Sequence, residues 1–220
     1  MYRCCIFDLD GTLVNSIYAL TRTVNLTLEQ FGLGPIDDAH TRVFVGDGYQ
    51  KLLERALSYC GDSKLEHLKE AMDSYNELFK ANCLYRLEAY DGIRELLAYL
   101  KEHQIKAAVL SNKAHERTLD NVEAVFGLDS FDLVFGEKPG VNRKPDPAGV
   151  FLIMKTLGVS PEECLYLGDT NTDMKTGQAA GVDTVGVTWG FRDRSELEAY
   201  HPKYLAGTPK EVQEILDRNC

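Results

Sequence analysis

Asp8 and Asp10 alternate in the run Asp8-Leu9-Asp10-Gly11-Thr12, directly after the apolar stretch Cys4-Cys5-Ile6-Phe7. Three later stretches carry complementary residue types: Ser111-Asn112-Lys113, Arg143-Lys144-Pro145-Asp146-Pro147 and Gly168-Asp169-Thr170-Asn171-Thr172-Asp173. Carboxylates of Asp8, Asp169 and Asp173 held together would repel one another. A hard divalent cation with oxygen ligands removes that cost, and Mg²⁺ suits a site that also holds a phosphate. Lys144 offers a point positive charge and Ser111 a hydroxyl donor. Backbone N–H groups after Asp8 can form an anion-binding nest, with Gly11 letting the chain leave the strand abruptly. These are the parts that phosphoryl transfer needs. Each is weak alone. D-x-D-G crowds ordinary turns, Gly168-Asp169 can be a capped strand-to-helix turn, Ser111 an N-cap, and Lys144 a solvated loop lysine. The weight lies in the set.

The elements that must position these residues follow from periodicity. Cys4–Phe7 is expected to be a strand ending at Asp8. Ile17, Leu20, Val24, Leu28 and Phe31 share a helix face that Gly32 and Gly34-Pro35 terminate. Two more helical patterns follow, one with Leu52, Leu53, Ala56 and Leu57, the other with Leu65, Leu68, Met72, Tyr75, Leu78 and Phe79. From Asn15 to Arg86 the pattern is helical only, whereas after Tyr90 strands and helices alternate. Ile105–Leu110 reads as a strand ending at Ser111, Phe131–Phe135 as another, and Cys164–Leu167 as a third running into Gly168-Asp169. Asp146-Pro147 opens a helix, Gly181 closes one before the strand Thr184–Val187, and Thr208-Pro209-Lys210-Glu211 is a capping box for the last helix. The expectation is an α/β, Rossmann-like parallel-sheet core of residues 1–14 and 87–220, with an all-α cap, residues 15–86, inserted between. The three chemical stretches that end strands fall at carboxyl ends, where an open parallel sheet binds ligands.

Order and spacing of the four stretches resemble the haloacid dehalogenase-like superfamily of phosphatases, in the branch with a helical cap after the first strand. Asp8-x-Asp10-Gly11-Thr12, Ser111, Lys144 and Gly168-Asp169-x-x-x-Asp173 match its motifs along nearly the whole chain. Within that branch Val45-Gly46-Asp47-Gly48 and the helix Leu52–Leu57 are similar to the first cap loop of phosphoglycolate phosphatase-like proteins. The resemblance implies that Asp8 attacks phosphorus to form an aspartyl-phosphate while Asp10 acts as general acid and then base. It implies Mg²⁺ on the side chains of Asp8 and Asp169 and the Asp10 carbonyl, with Asp173 as a further ligand or an orienting residue. Ser111, the Asn112 N–H and Lys144 would hold the phosphoryl oxygens. The dehalogenases lack an Asp two positions after the nucleophile, so Asp10 points to phosphate chemistry. One departure is Asn15, where relatives commonly have Asp.

At 220 residues, 44% hydrophobic and 26% charged, the chain has the composition of an ordinary globular protein. A formal charge of -10 makes nucleic acid a poor partner. A small phosphorylated metabolite is the expected one. No run approaches the ~18 apolar residues of a membrane span, and no signal segment opens the chain, so a cytoplasmic location is the default expectation. Oligomeric state is not legible. Cys4, Cys5, Cys60, Cys83, Cys164 and Cys220 form no C-x-x-C pair, and the three that sit in apolar runs read as buried, reduced thiols. Asp47, Tyr49, Lys51 and Arg55 are the candidates for substrate contact in the cap, against a solvated helix face. The five histidines are scattered, Trp189 reads as structural, and Lys113 has no assigned role. Two rivals stay open: pyrophosphate hydrolysis or a sugar-phosphate mutase resembling β-phosphoglucomutase, and a phosphate-binding regulatory module without turnover.

Overall fold

A computed structural model describes residues 1–219; Cys220 lies outside the described residues. The chain divides into two compact units, one of residues 1–15 and 89–220 and one of residues 16–88.

The larger unit is built on six parallel strands. In chain order they are β1 (Cys4–Phe7), β4 (Lys106–Ala114), β5 (Leu133–Glu137), β6 (Cys164–Gly168), β7 (Asp183–Val187) and β8 (Tyr204–Ala206). Their spatial order is β5-β4-β1-β6-β7-β8. Every residue of β1 is buried, as a central strand covered on both faces requires. Successive side chains point to opposite faces, so Cys4 and Ile6 join Ala108, Leu110, Cys164 and Tyr166 in one core layer. Val150, Ile153 and Met154 of helix α7 (Ala148–Leu157) pack on that layer, with Ala180 of helix α8 (Asn171–Ala180). Helices α5 (Ile93–Glu102), α6 (His115–Val125), α9 (Arg194–Glu198) and α10 (Pro209–Asp217) complete the unit. Two short strands, β2 (Val14–Asn15) and β3 (Glu88–Ala89), form a separate two-stranded sheet.

The smaller unit holds helices α1 (Ile17–Glu29), α2 (Asp38–Phe44), α3 (Tyr49–Tyr59) and α4 (Leu68–Asn82). Leu20, Val24 and Leu28 of α1 meet Leu52, Leu53, Ala56 and Leu57 of α3 and Ala71, Tyr75 and Phe79 of α4 in one apolar core. The 3.6-residue spacing of these positions makes each helix half apolar, and the shared core is where those halves go. No described helix is long and apolar enough to cross a membrane.

The α/β reading holds, with differences in detail. Helix α2 was not expected, because Asp-Ala-His-Thr-Arg-Val-Phe carries no apolar stripe and buries only Thr41. Its start is fixed by Asp37, which accepts from the His40 N–H at 2.8 Å. Strand β4 does not end at Ser111; it continues to Ala114 through an irregular register between Leu110 and Ala114. Ser111 is therefore not the N-cap of α6, whose cap position is Ala114. Strands β8 and β5 were missed or displaced because short edge strands carry little periodic signal. Of the thiols, Cys4, Cys5, Cys83 and Cys164 are buried, Cys60 is half-buried, and all five are unbridged.

Ile6 is fully buried in the sheet core. Ile6→Ala should cost about 2–5 kcal/mol by removing packed methyl groups and leaving a cavity. Urea unfolding curves will check this; a loss well under that range would mean that the core collapses around the site.

Candidate active site

Strand β1 lies at the point where the connections diverge. The chain runs outward through β4 and β5 on one side and through β6, β7 and β8 on the other. Such a reversal opens a crevice at the carboxyl ends of the flanking strands. Asp8 follows β1, Ser111–Lys113 close β4, and Asp169 follows β6.

The buried Lys144 ammonium joins these stretches. It sits 2.8 Å from Asp8 Oδ1 and 2.7 Å from Asp173 Oδ1. Asp8, Asp169, Asp173 and Lys144 are all buried. Burial pushes the Asp8 carboxyl up from 3.8 to about 7, reinforced by the Asp173 charge and opposed by Lys144. Asp169 is raised well above the usual carboxylate range by burial, then by Asp173 and Asp8. For Lys144 burial favours the neutral amine, yet Asp173 and Asp8 outweigh it and hold the ammonium well above its ordinary value.

Each acid has its own support. Asp173 occupies the third position of α8 and forms a reciprocal capping box with Thr170, accepting from the Thr170 N–H at 3.0 Å and its hydroxyl at 2.8 Å. The Tyr166 hydroxyl donates to its other oxygen at 3.3 Å. Asp169 accepts from the Thr12 hydroxyl at 3.1 Å and from the Phe191 N–H at 2.7 Å. Close approach of backbone is needed here. A Cβ on Gly11, whose φ is +88°, would lie 2.1 Å from Asp169 Oδ2, and one on Gly190 would lie 2.3 Å from the Asp169 Cβ.

Carboxylate oxygens of Asp8, Asp169 and Asp173 all lie within 4.8 Å of one another. With Asp10, four carboxylates face two buried ammonium groups, Lys144 and Lys113, which leaves an excess of negative charge when all are ionised. Hard oxygen donors, close spacing and that excess fit a divalent cation.

Several arrangements go beyond the sequence reading. The Asn112 side chain clamps the loop bearing Lys144, donating to the Lys144 carbonyl at 3.0 Å and accepting from its N–H at 2.8 Å. Ser111 is buried and its Oγ accepts from the Lys113 N–H at 3.1 Å. Asp10 pairs with Lys113 at 2.7 Å. The nest expected after Asp8 is largely used internally. The Leu9 N–H donates to Asp8 Oδ1 at 2.7 Å, while those of Gly11 and Thr12 close the following turn. Trp189 donates its indole N–H to the Thr12 carbonyl at 3.0 Å. Thr12 and Lys113 lie inside the first two chemical stretches but carry no role in the sequence reading; Tyr166 and the Trp189–Phe191 segment lie outside all of them, with Gly190 after an apolar strand as the visible signal for that segment. In the helical unit Asp47 and Arg55 pair at 2.5 Å, Lys51 pairs with Glu54, and Tyr49 stacks on Tyr75 with ring centroids 5.8 Å apart.

The sequence model of the haloacid dehalogenase-like hydrolases matches residues 5–187, which include all four stretches around this cluster. The chain belongs to that family. A phosphoglycolate phosphatase from Colwellia psychrerythraea is 31% identical over 218 residues, covering 97% of this chain and 96% of that protein. One from Aquifex aeolicus is 28% identical over 217 residues, covering 99% and 98%. Among solved structures, a Lactobacillus delbrueckii protein provisionally named phosphoglycolate phosphatase superimposes with a TM-score of 0.91 at 28% identity, covering 97% of this chain and 98% of its own. A haloacid dehalogenase-like hydrolase from Streptococcus pneumoniae gives 0.87 at 26%, covering 98% of each chain. This member of the haloacid dehalogenase-like hydrolases is a phosphatase.

Two predictions follow from the geometry. Because burial raises Asp8 and Asp169, these two carboxyls hold more protons in the metal-free folded state than in the unfolded chain between pH 4 and 7, a window set by the Asp8 shift from 3.8 to about 7. The contribution of the site to stability is therefore present at low pH and lost as pH rises through that window. A divalent cation displaces those protons, so the melting-temperature gain on adding Mg²⁺ or Mn²⁺ should grow from pH 5 to pH 7.5; a gain larger at pH 5 would contradict the cluster. Second, Gly11→Ala should weaken cation binding by 10-fold or more, roughly the penalty for disturbing a ligand's support, measured by calorimetric titration.

Proposed function

We propose that this phosphatase hydrolyses a small phosphomonoester, with 2-phosphoglycolate as the leading substrate, through an aspartyl-phosphate on Asp8. The observation that carries the reading is the buried Asp8 carboxylate at the switch point of the sheet, held 2.8 Å from the Lys144 ammonium and within 4.8 Å of Asp169 and Asp173. The names of relatives at 28–31% identity support the substrate.

In this reading Asp8, Asp169 and the Asp10 carbonyl would hold Mg²⁺, with Asp173 ligating it or orienting the others. When bound, the cation offsets the carboxylate repulsion and polarises a phosphoryl oxygen. Ser111, Asn112 through its N–H, and Lys144 hold the phosphoryl oxygens and orient phosphorus in line with Asp8. A carboxylate oxygen of Asp8 attacks phosphorus as the ester P–O bond breaks, and Asp10 gives its proton to the departing alkoxide. Asp10 then takes a proton from water. The water oxygen attacks phosphorus, the acyl-phosphate P–O bond breaks, and inorganic phosphate leaves with the Asp8 carboxylate restored. Splitting one displacement into two replaces a poorly placed water with a nucleophile fixed by the fold.

Asp8→Asn should abolish turnover, by at least about 10³-fold for loss of a covalent nucleophile, while thermal melting shows an intact fold. Substantial residual hydrolysis in that variant would overturn the mechanism. A panel containing 2-phosphoglycolate, pyrophosphate and hexose phosphates tests the substrate. Phosphate release greatest from 2-phosphoglycolate is expected; isomerised sugar phosphate without free phosphate would indicate a mutase instead. Beryllium fluoride should inhibit by occupying the phosphoryl position on Asp8.

A further inference from the structure

Lys113 lies 2.7 Å from Asp10 Oδ1 and 2.6 Å from Asn121 Oδ1. Its side chain is 6% exposed and that of Asp10 15%. A lysine ordinarily keeps its ammonium in water and lets the flexible stem lie on the surface. Here the head is withdrawn at the end of β4 and held between a carboxylate from the β1 loop and an amide on α6. Asn121 is itself fully buried. Such burial is costly unless the charge is paired and hydrogen-bonded, and Asp10 and Asn121 supply both partners.

The consequence falls on Asp10. One of its oxygens is fixed by Lys113, while Oδ2 has no partner among the described residues. An aspartate on a short loop can otherwise rotate about two bonds and point away from the reacting centre. The ion pair removes that freedom and leaves one oxygen available. Asn121 in turn stops the lysine from swinging toward the phosphate-binding side, where Lys144 already serves.

We propose that Lys113, anchored by Asn121, is a positioning residue that fixes the Asp10 carboxylate so that its remaining oxygen meets the leaving group and then the attacking water. This rests on the reading of Asp10 as general acid and base. It gives a role to the third residue of Ser111-Asn112-Lys113, which the phosphate-holding scheme leaves without one.

The test uses leaving-group dependence, which a purely structural role would not move. An alkyl phosphate such as 2-phosphoglycolate needs a proton on its departing oxygen, whereas p-nitrophenyl phosphate releases a stable anion without one. Single-turnover cleavage of both is measured in the full-length protein with Mg²⁺, for wild type, Lys113→Met, Asn121→Ala, Asp10→Asn and Asp8→Asn. Lys113→Met keeps the stem packing, and melting curves check the fold. Cleavage of the alkyl ester should fall about 100-fold in Lys113→Met, the scale of a misplaced catalytic group. The nitrophenolate burst should fall about threefold or less, since proton transfer contributes little to that step. Asn121→Ala should show the same pattern at smaller amplitude. Equal losses on both esters, a change confined to KM, or unchanged rates would each overturn the proposal. Should Asp10→Asn lack the leaving-group pattern, the proposal falls with the acid–base role. A wild-type burst that survives Asp8→Asn would instead sink the aspartyl-phosphate mechanism.

Discussion

Buried negative charge is the constraint around which the core unit is organised. Asp8, Asp169 and Asp173 are withdrawn from water within 4.8 Å of one another, and the Lys144 ammonium bridges two of them at 2.8 and 2.7 Å. Burial, reinforced by the neighbouring carboxylates, favours the protonated form of Asp8 and Asp169 and raises both above their ordinary range. The protein therefore surrounds them with donors whose positions are set by strand ends, helix caps and glycine contacts. The donors offset part of the repulsion. The rest favours a cation or bound protons, which is why the pH dependence of stability and cation binding are two views of one property.

Much of this support does two jobs. The Asp173 carboxylate caps α8 through Thr170 with one oxygen and meets Lys144 and Tyr166 with the other. The cap satisfies N–H groups that a helix start leaves orphaned, and the same bonds aim the acid at the crevice. Asn112 likewise ties the loop carrying Lys144 to the end of β4. A long lysine stem would otherwise sample many rotamers. Fixing its backbone at both carbonyl and N–H limits where the ammonium can reach. Gly11 and Gly190 let two loops approach Asp169 more closely than any side chain permits.

Parallel topology is what makes such convergence possible. Residues 8, 111, 144 and 169 are far apart in sequence, yet the strands β1, β4 and β6 run side by side in register, with Phe7 opposite Val109 and Leu167. Every strand end of that trio therefore opens on the same rim. The helical unit forms its own apolar core from α1, α3 and α4, as the half-apolar faces of those helices demand.

What the sequence determined by itself was the type and order of elements and the chemical types at strand ends. Apolar runs of four to six residues followed by Asp, Ser or Gly-Asp are local signals, and β1 and β6 appear where such runs predict them. It left unread the polar helix α2, the continuation of β4 past Ser111 and the edge strand β8, because none has an apolar period long enough to register. Only the tertiary structure decided the partners. Lys113 on Asp10, the Asn112 side chain on the Lys144 backbone, Thr12 on Asp169 and the Phe191 N–H on Asp169 are contacts between segments separated by tens to more than a hundred residues. A sequence carries the donor and acceptor types, but which of them meet depends on where crossovers return the chain. That is settled by burial of the sheet faces rather than by any local preference.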